Sequence, residues 1–384
     1  MLRFLVVATC VAFSCHSIPV SADEAILIAS ADSNGPKQPQ AAVSSNGVVH
    51  VVFGSGDEVS HCSSSDNGKS FSKPSVAFRV SNLSLGMRRG PRITAFGDSL
   101  IVTAIGGKQG KGRDGDLLAW RSDDLGRSWK GPVQVNDSND SASEGLHAMA
   151  VSSKGESWCT WLDLRNQRTE LYASKTSDGG ASWSANQLIY SSPEKSICEC
   201  CHPSIAVHGS TLSGATLSGE TVQVLFRNSL AGNRDMYLTS VEQVNGKIKT
   251  SSMQLGRENW KLNACPMDGG MLAIDANGVV STVWRRGREI YTAVNDGGDE
   301  QHIGIGEQPW ITSTKDGPIA VWTKRRDGEL MMKNILNEYE QSIAPTARDA
   351  VVVAEPLKGK TAFVIWEQNE GGRSSIFAKA VETQ

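Results

Sequence analysis

The 384-residue chain has few of the features that mark helical, membrane-spanning or nucleic-acid-binding proteins. Helix-period patterns are scarce, whereas short alternating apolar runs separated by glycine-rich turns are common, and this combination favours an all-β fold. Beyond the N-terminal segment, no apolar run approaches the roughly 20 residues that a membrane helix needs. The formal net charge is only -3, so nothing indicates nucleic acid as a partner.

The N-terminal segment has the composition of a secretory signal peptide. A basic residue and an apolar run from Phe4 to Phe13 precede Val20-Ser21-Ala22, a small-x-small cleavage site. We therefore expect residues 1–22 to be a signal peptide that is cleaved near Ala22. Residues 23–384 would then form a single domain in a secreted or periplasmic protein.

An internal repeat of about 52 residues organises the mature chain. Each unit contains an apolar strand, a tight turn, a second strand that mostly ends in Phe or Trp, a polar hairpin and a third strand. The predicted second strands are Val48–Phe53, Leu100–Ala104, Glu156–Trp161, Thr221–Phe226, Val279–Trp284, Pro318–Trp322 and Lys360–Trp366. Seven such units predict a seven-bladed β-propeller with core tryptophans and with Ala25–Ala29 completing the last blade. A six-bladed propeller is the alternative.

One eight-residue pattern, Ser/Thr-x-Asp-x-Gly-x-Ser-aromatic, occurs three times. The copies are Ser64–Phe71, Ser122–Trp129 and Thr176–Trp183, and a weaker fourth copy is Val294–Gly298. The aspartate can accept hydrogen bonds from turn amides, while the glycine occupies a position with positive φ. The pattern resembles the Asp box, or BNR repeat, of sialidases and related β-propellers. The resemblance implies a folding role for these turns and no catalytic one.

Strand alternation places the Asp-box turns on one face of the propeller and the second-to-third hairpins on the other. The segments that precede each first strand share this second face, whose hairpins are rich in arginine, including Arg165–Arg168 and Lys324–Arg326. Such a face suits carboxylate or sulfate groups, because the planar guanidinium pairs with them bidentately. Alternatively, these arginines are solvated turn residues that pair with nearby aspartates.

The resemblance to sialidases implies an exo-glycosidase that acts at the mouth of the central channel. The residues it assigns to catalysis are Arg92, Asp114, Asp116, Arg227, Arg285, Tyr237 and Tyr291. The arginines would hold the sugar carboxylate, an aspartate would be the general acid and a tyrosine the nucleophile, in place of the usual carboxylate pair. The further residues expected to contact the ligand are Arg89, Arg286, Arg288, Trp260 and Trp310. A non-catalytic carbohydrate- or protein-binding propeller is the alternative.

Four cysteines are predicted to converge at one place on the same face. Cys198, Cys200 and Cys201 precede the first strand of the fourth unit, and Cys265 precedes that of the fifth. Disulfides are favoured in an oxidising compartment, with Cys200 or Cys201 joined to Cys265 and the other joined to Cys198 or elsewhere. The competing hypothesis is a copper or zinc site, whose candidate ligands are Cys200, Cys201, His202 and Cys265, with Met267 and His147 as additions.

The remaining expectations concern partners and the other cysteines. The sialidase-type hypothesis requires no cofactor, and its ligand is a glycan or another anionic extracellular molecule. The protein is expected to be a monomer. Cys62 and Cys159 fall in non-adjacent units and are expected to be buried thiols.

Overall fold

The computed structural model describes residues 24–32, 34–209, 220–244, 247–295, 300–355 and 359–383. Within these ranges the regular structure is entirely β, and no helix of a length and hydropathy that could cross a membrane is present. The predicted signal peptide and the Asp296–Gly298 part of the weak fourth motif copy lie outside the described residues.

Strand β1 (Ile26–Ala31) is followed along the chain by five four-stranded antiparallel sheets. Sheet 1 consists of β2 (Lys37–Val43), β3 (Val49–Ser55), β4 (Glu58–Ser64) and β5 (Ser75–Arg79). Sheet 2 consists of β6 (Arg92–Phe96), β7 (Ser99–Gly106), β8 (Asp116–Ser122) and β9 (Lys130–Gln134). Sheet 3 consists of β10 (His147–Val151), β11 (Ser157–Asp163), β12 (Glu170–Thr176) and β13 (Gln187–Tyr190).

The order of strands continues unchanged in the second half of the chain. Sheet 4 consists of β14 (Ser204–Gly209), β15 (Glu220–Arg227), β16 (Met236–Val244) and β17 (Lys247–Gln254). Sheet 5 consists of β18 (Met271–Ile274), β19 (Val280–Arg286), β20 (Glu289–Val294) and β21 (Gln301–Ile305). The last strands are β22 (Glu307–Thr314), β23 (Gly317–Thr323), β24 (Gly328–Asn334), β25 (Glu340–Ala354), β26 (Thr361–Glu370) and β27 (Arg373–Glu382). They form one seven-stranded sheet together with β1, and we call it the large sheet.

The large sheet is continuous because β25 is 15 residues long and pairs on both sides. Its first half pairs with β24, up to the pair Gly328↔Ala347, and its second half pairs with β26 from Arg348↔Glu367 onward. Strand β1 pairs with β27, which confirms the prediction that the N-terminal strand completes the last repeat. The pairing thus gives five separate sheets and one large sheet, rather than seven separate blades.

The innermost strands contact one another in a closed ring. The order around the ring is β2, β6, β10, β14, β18, β22 and β25, and β25 returns to β2. Each of the second strands predicted from the repeat is present, as β3, β7, β11, β15, β19, β23 and β26. The molecule is therefore a β-propeller, and closure leaves no long sheet edge exposed around the ring.

Bulky residues at the ends of the second strands fill the spaces within and between the sheets. Trp161, Trp322 and Trp366 are all fully buried, as the repeat predicted. Burying one such side chain contributes at least about 2 kcal/mol. The aromatic row thus stabilises the propeller and is not a ligand surface.

The three complete motif copies form the β4–β5, β8–β9 and β12–β13 turns and share one hydrogen-bond pattern. In the first copy Asp66 accepts bonds from the Ser70 amide at 3.0 Å and hydroxyl at 2.6 Å, while the Gly68 amide donates to Ser64 at 2.9 Å. Gly68 has a φ of 75°, and a Cβ there would lie 3.0 Å from the ring of Phe363. Glycine is thus required by both backbone conformation and space.

The second copy shows how strongly these bonds favour the ionised aspartate. Hydroxyl hydrogen bonds from Ser128 and Ser122 lower the pKa of Asp124 below its ordinary value, and the Ser128 amide adds to them. The predicted folding role of the motif agrees with this geometry, since its polar groups bond within the turn.

Candidate functional site at the channel mouth

Five residues that lie in, or shortly before, innermost strands have an unusual backbone conformation. The residues concerned are Gln38, Arg88, Met267, Gln308 and Asp349, whose φ angles lie between 49° and 64°. Residues other than glycine rarely occupy this left-handed region, and such strain clusters at functional sites. We call these five residues the left-handed ring, and it marks the candidate site at the mouth of the channel.

Asp349 connects the members of the ring. Its carboxylate accepts hydrogen bonds from Gln38 Nε2 at 2.6 Å and from Gln308 Nε2 at 2.8 Å. The amide of Asp349 donates to Gln308 Oε1 at 2.9 Å. Since the Asp349 side chain is only 1% exposed, these bonds offset the cost of burying its charge.

Arg88 crosses the mouth and joins sheet 2 to the large sheet. Its guanidinium donates to the carbonyl oxygens of Ala350 at 2.8 Å and Gln308 at 2.7 Å, and it lies 4.9 Å from the ring centre of Trp310. Its Nε is 3.8 Å from Asp349 Oδ1, and the side chain is 2% exposed. Burial lowers the pKa of Arg88, and the charge of Asp349 opposes this effect. Arg88 is therefore a structural clamp across the mouth.

Two of the arginines predicted to hold substrate have a similar bracing position. Buried Arg92 donates to the carbonyl oxygens of Arg88, Gly90 and Pro91, and burial lowers its pKa to about 9. Buried Arg227 donates to main-chain oxygens as well, including that of Asp268 at 3.1 Å. Both guanidinium groups thus bind the protein's own backbone, whereas the resemblance implied that they hold a substrate carboxylate.

Arg285 and Trp260, two of the residues named from the sequence, lie together at the mouth. The Arg285 guanidinium is 3.0 Å from Glu307 Oε2 and 3.5 Å from Asp268 Oδ2, and 5.8 Å separates it from the Trp260 ring centre. Its side chain keeps 14% exposure.

Two arginines that the sequence argument did not assign to catalysis or ligand contact complete the accessible surface. Arg326 lies 3.5 Å from Asp349 Oδ2 with 40% of its side chain exposed. Arg348 pairs with Asp327 and lies 3.9 Å from Glu367. We call the partly exposed group the mouth site, and its residues are Trp260, Arg285, Glu307, Arg326 and Arg348.

Two buried acids of the mouth have raised pKa values. Burial, with a further contribution from Asp349, raises the pKa of Glu367 to about 7, although the Gln38 amide donates to it at 3.1 Å. Burial also raises the pKa of Asp268, whose Oδ1 has no hydrogen-bond partner. Burial therefore makes both carboxyl groups harder to ionise than they would be in water.

The two predicted general acids serve as turn braces. Asp114 accepts hydrogen bonds from the amides of Gln109 at 2.8 Å and Gly110 at 2.7 Å, within the β7–β8 hairpin. Asp116 accepts bonds from Asn136 at 2.8 Å and from the Asp140 amide at 2.8 Å. Among the described hydrogen bonds and ion pairs, neither aspartate is paired with a residue of the mouth site.

The predicted nucleophiles are also separate from the mouth arginines. Tyr237 packs against Phe226 and Tyr190 in the hydrophobic core formed by sheets 3 and 4. Tyr291 stacks on Trp284, and the guanidinium of Arg286 lies 4.0 Å from its ring centre.

The other expected ligand contacts are dispersed. Arg286 pairs with Glu300 at 2.8 Å, and Arg89 donates to the Glu144 carbonyl at 2.7 Å. Arg288 is exposed at the end of the β19–β20 turn, and Trp310 is buried between Arg88 and His202. Trp310 therefore supports the clamp.

The four cysteines converge as the repeat predicted. Cys200 and Cys265 form a disulfide, while Cys198 and Cys201 are buried thiols with their Sγ atoms 3.4 Å apart. The expected pairing with Cys265 is confirmed, and the expected bond to Cys198 is not formed. A hydrogen bond from Cys201, assisted by Arg227 and opposed by burial, lowers the pKa of Cys198 to about 7.

The two histidines proposed as ligands lie outside the group of sulfur atoms. His147 Nε2 is 2.9 Å from Thr103 Oγ1, and His202 is buried against Trp310 with both ring nitrogens unpartnered. Within the described ranges, the His, Cys and acidic atoms close enough to share an ion belong to cysteines only. Cys62 and Cys159 are buried thiols, as expected.

No family model and no curated protein matches the sequence. Solved structures do match, including an α-L-arabinofuranosidase of Fusarium graminearum in complex with arabinobiose, with a TM-score of 0.52 and 13% identity over 93% of this chain and 97% of that chain. An α-L-arabinanase of Penicillium chrysogenum complexed with arabinobiose gives 0.52 and 11% identity over 94% and 99% of the two chains. The NanB sialidase from Streptococcus pneumoniae gives 0.46 and 13% identity over 95% and 71%. At such identities the first two structures show the β-propeller fold alone.

Proposed function

We propose that the protein is a glycan-directed β-propeller that binds an anionic saccharide at the mouth site. The observation that carries this proposal is the position of Arg326, which stands 40% exposed at the channel mouth. Its described partner, Asp349, already accepts hydrogen bonds from two glutamine amides. The Arg326 guanidinium is thus free to pair bidentately with a carboxylate or sulfate group.

The charge balance of the mouth also favours an anionic ligand. Its basic residues are Arg88, Arg227, Arg285, Arg326 and Arg348, and its acidic residues are Asp268, Glu307, Asp327, Asp349 and Glu367. Burial raises the pKa of Asp268 and raises that of Glu367 to about 7, so these two acids hold their protons more readily than free carboxyl groups do, which favours an anionic ligand. Partly exposed Trp260 adds an apolar surface on which a sugar ring can pack.

Glycoside hydrolysis is the second candidate function. Glu367, whose pKa is raised to about 7, lies beside Asp349, and Gln38 bonds to both carboxyl groups. A protonated carboxyl group next to a second carboxylate is the arrangement used in glycoside hydrolysis. Both groups are buried, so catalysis would require the mouth to open, and binding is therefore the first candidate.

Binding of a saccharide panel tests both candidates. We expect sulfated, uronate-bearing or sialylated oligosaccharides to bind by calorimetry, and neutral arabino-oligosaccharides to bind less tightly. Arg326→Ala should weaken binding of the anionic ligand roughly tenfold or more, the effect of losing a charged hydrogen-bonded pair. Mass spectrometry of the same mixtures would reveal any cleavage.

Arg79→Ala is the matched control, because it removes an exposed arginine of β5 that pairs with Glu58. It should leave the affinity unchanged. If the Arg326→Ala and Arg79→Ala proteins bind the anionic saccharide with equal affinity, or if no anionic saccharide binds, the mouth site is excluded as a binding site for such ligands. Cleavage of a neutral arabino-oligosaccharide without anion binding would favour the second candidate.

We further propose that the large sheet is two blades that share β25, which gives seven blades in all. The closed ring of seven innermost strands supports this count, and the common geometry of the three Asp turns supports kinship with Asp-box propellers. An experimental structure with six innermost strands would contradict it.

We also propose that the protein is exported after cleavage near Ala22. The sequence read by N-terminal sequencing of the exported protein should then begin at or near Asp23.

A further inference from the structure

Three cysteine sulfurs form a compact triangle beside the mouth. The Sγ separations are 3.4 Å for Cys198–Cys201, 3.6 Å for Cys198–Cys200 and 4.0 Å for Cys200–Cys201. Thiolates bound to one tetrahedral zinc ion at about 2.3 Å lie about 3.8 Å from one another. The triangle therefore already has the size of three corners of such a site.

The surrounding chain holds these sulfurs in place. Cys198, Cys200 and Cys201 are buried, and the Cys198 amide donates to the Arg227 carbonyl at 3.0 Å. Cys265 reaches the triangle from an exposed segment before β18 and is joined to Cys200. Met267 packs against the same sulfurs. A fourth sulfur is thus adjacent to the triangle and is held in the disulfide.

We propose that Cys198, Cys200, Cys201 and Cys265 bind one thiophilic ion, Zn(II) or Cu(I), when the Cys200–Cys265 disulfide is reduced. A dithiol reductant supplies two electrons and two protons, so the disulfide becomes two thiols and the dithiol becomes a disulfide. The ion then replaces thiol protons, which are released to solvent. In the oxidised protein two of the four sulfurs carry no thiolate charge, so the site is closed.

The charges around the cluster suit a metal–thiolate group. Four thiolates around Zn(II) carry a net charge of about −2, which is costly to bury without a counter-charge. The buried Arg227 guanidinium lies near Cys198, and its hydrogen bonds to the oxygens of Asp268, Arg234 and Arg285 are all to main-chain carbonyls. Its positive charge is therefore available to compensate the cluster.

Metal titration of the reduced protein tests the proposal. The full chain is reduced with a dithiol, desalted under nitrogen and titrated with Co(II), a spectroscopic substitute for Zn(II), or with Cu(I) against a chromophoric chelator. We expect one ion to bind per chain. Bound Co(II) should show the intense sulfur-to-metal charge-transfer absorption of a thiolate site, and added Zn(II) should abolish this absorption. Cys198→Ser and Cys201→Ser should weaken binding by roughly 100-fold or more.

Cys62→Ala and Cys159→Ala are the matched controls, because both remove buried thiols outside the cluster, and they should keep the full stoichiometry. If either serine variant fails to fold, a second experiment replaces it. The native wild-type chain is reduced and its thiols are alkylated, and the alkylated protein should lose the charge-transfer absorption. The proposal is overturned if the reduced wild-type chain binds neither ion more tightly than the serine variants do. It is also overturned if the oxidised wild-type chain binds the ion as tightly as the reduced chain.

Discussion

Arg88→Ala is expected to lower the free energy of unfolding by about 3–5 kcal/mol, the usual cost of removing one partner of a buried ion pair. The substitution leaves Asp349 beside a cavity and removes the donors to the carbonyls of Ala350 and Gln308. It also breaks the described link between sheet 2 and the large sheet across the mouth. Urea unfolding followed by tryptophan fluorescence measures the loss.

Arg89→Ala is the appropriate comparison, since it removes the neighbouring arginine, which is partly exposed and lies 4.0 Å from Glu144. Its effect should stay within about 1 kcal/mol, as for other surface pairs. Arg88→Met, which keeps most of the side-chain volume, should resemble Arg88→Ala if the lost charge and hydrogen bonds dominate. If the urea midpoints of Arg88→Ala and Arg89→Ala are equal, the Arg88 clamp does not hold the ring together.

The propeller could be predicted from sequence because its determinants are local and repeated. Each second strand carries its own apolar run and mostly ends in an aromatic residue, and the aspartate of each Asp turn finds its side-chain hydrogen-bonding partners within the same eight residues. The pairing of β1 with β27 followed from the need of the last repeat for a fourth strand. The continuity of the large sheet was not predictable, because a single run, Glu340–Ala354, serves two neighbours that the repeat assigns to separate blades.

The mouth was only partly predictable because its contacts join distant residues. Gln38 and Asp349 are 311 residues apart, and neither residue type indicates a left-handed backbone. One signal was present: the dipeptide Gln-Pro occurs at Gln38 and again at Gln308, and both glutamines bond to Asp349.

The side-chain directions of the arginines were not encoded in their spacing. Arg92, Arg227 and Arg326 all belong to the arginine-rich face, but only Arg326 projects into solvent to a large extent. Periodicity assigns a residue to a face, whereas the main-chain carbonyls that capture a guanidinium depend on the folded loops around it. For the same reason adjacency of blades predicted a bridge to Cys265 but could not select Cys200 over Cys201 as its partner.

Glu367 is expected to make the protein less stable as the pH rises from about 4.5 to about 7. Burial raises the pKa of Glu367 in the folded protein to about 7, from an ordinary value of 4.5, so the folded state retains a proton that the unfolded chain has lost. The stabilising contribution of Glu367 is thus fully present when the pH is below its pKa in the unfolded chain. It is lost as the pH rises through its pKa in the folded protein. At 1.36 kcal/mol per pH unit, the expected loss is about 3 kcal/mol. Urea unfolding at intervals between pH 4.5 and 8 measures it.

Glu367→Gln isolates this contribution, because a neutral amide oxygen can still accept the hydrogen bond from the Gln38 amide. At pH 4.5 the variant should match the wild type, and at pH 8 it should be more stable by about 3 kcal/mol. Glu58→Gln removes one negative charge from a more exposed site on β4 and controls for net charge. A constant difference between Glu367→Gln and the wild type across this range would mean that the pKa of Glu367 is the same in the folded and unfolded states. Glu367 would then give no support to the preference of the mouth for an anionic saccharide.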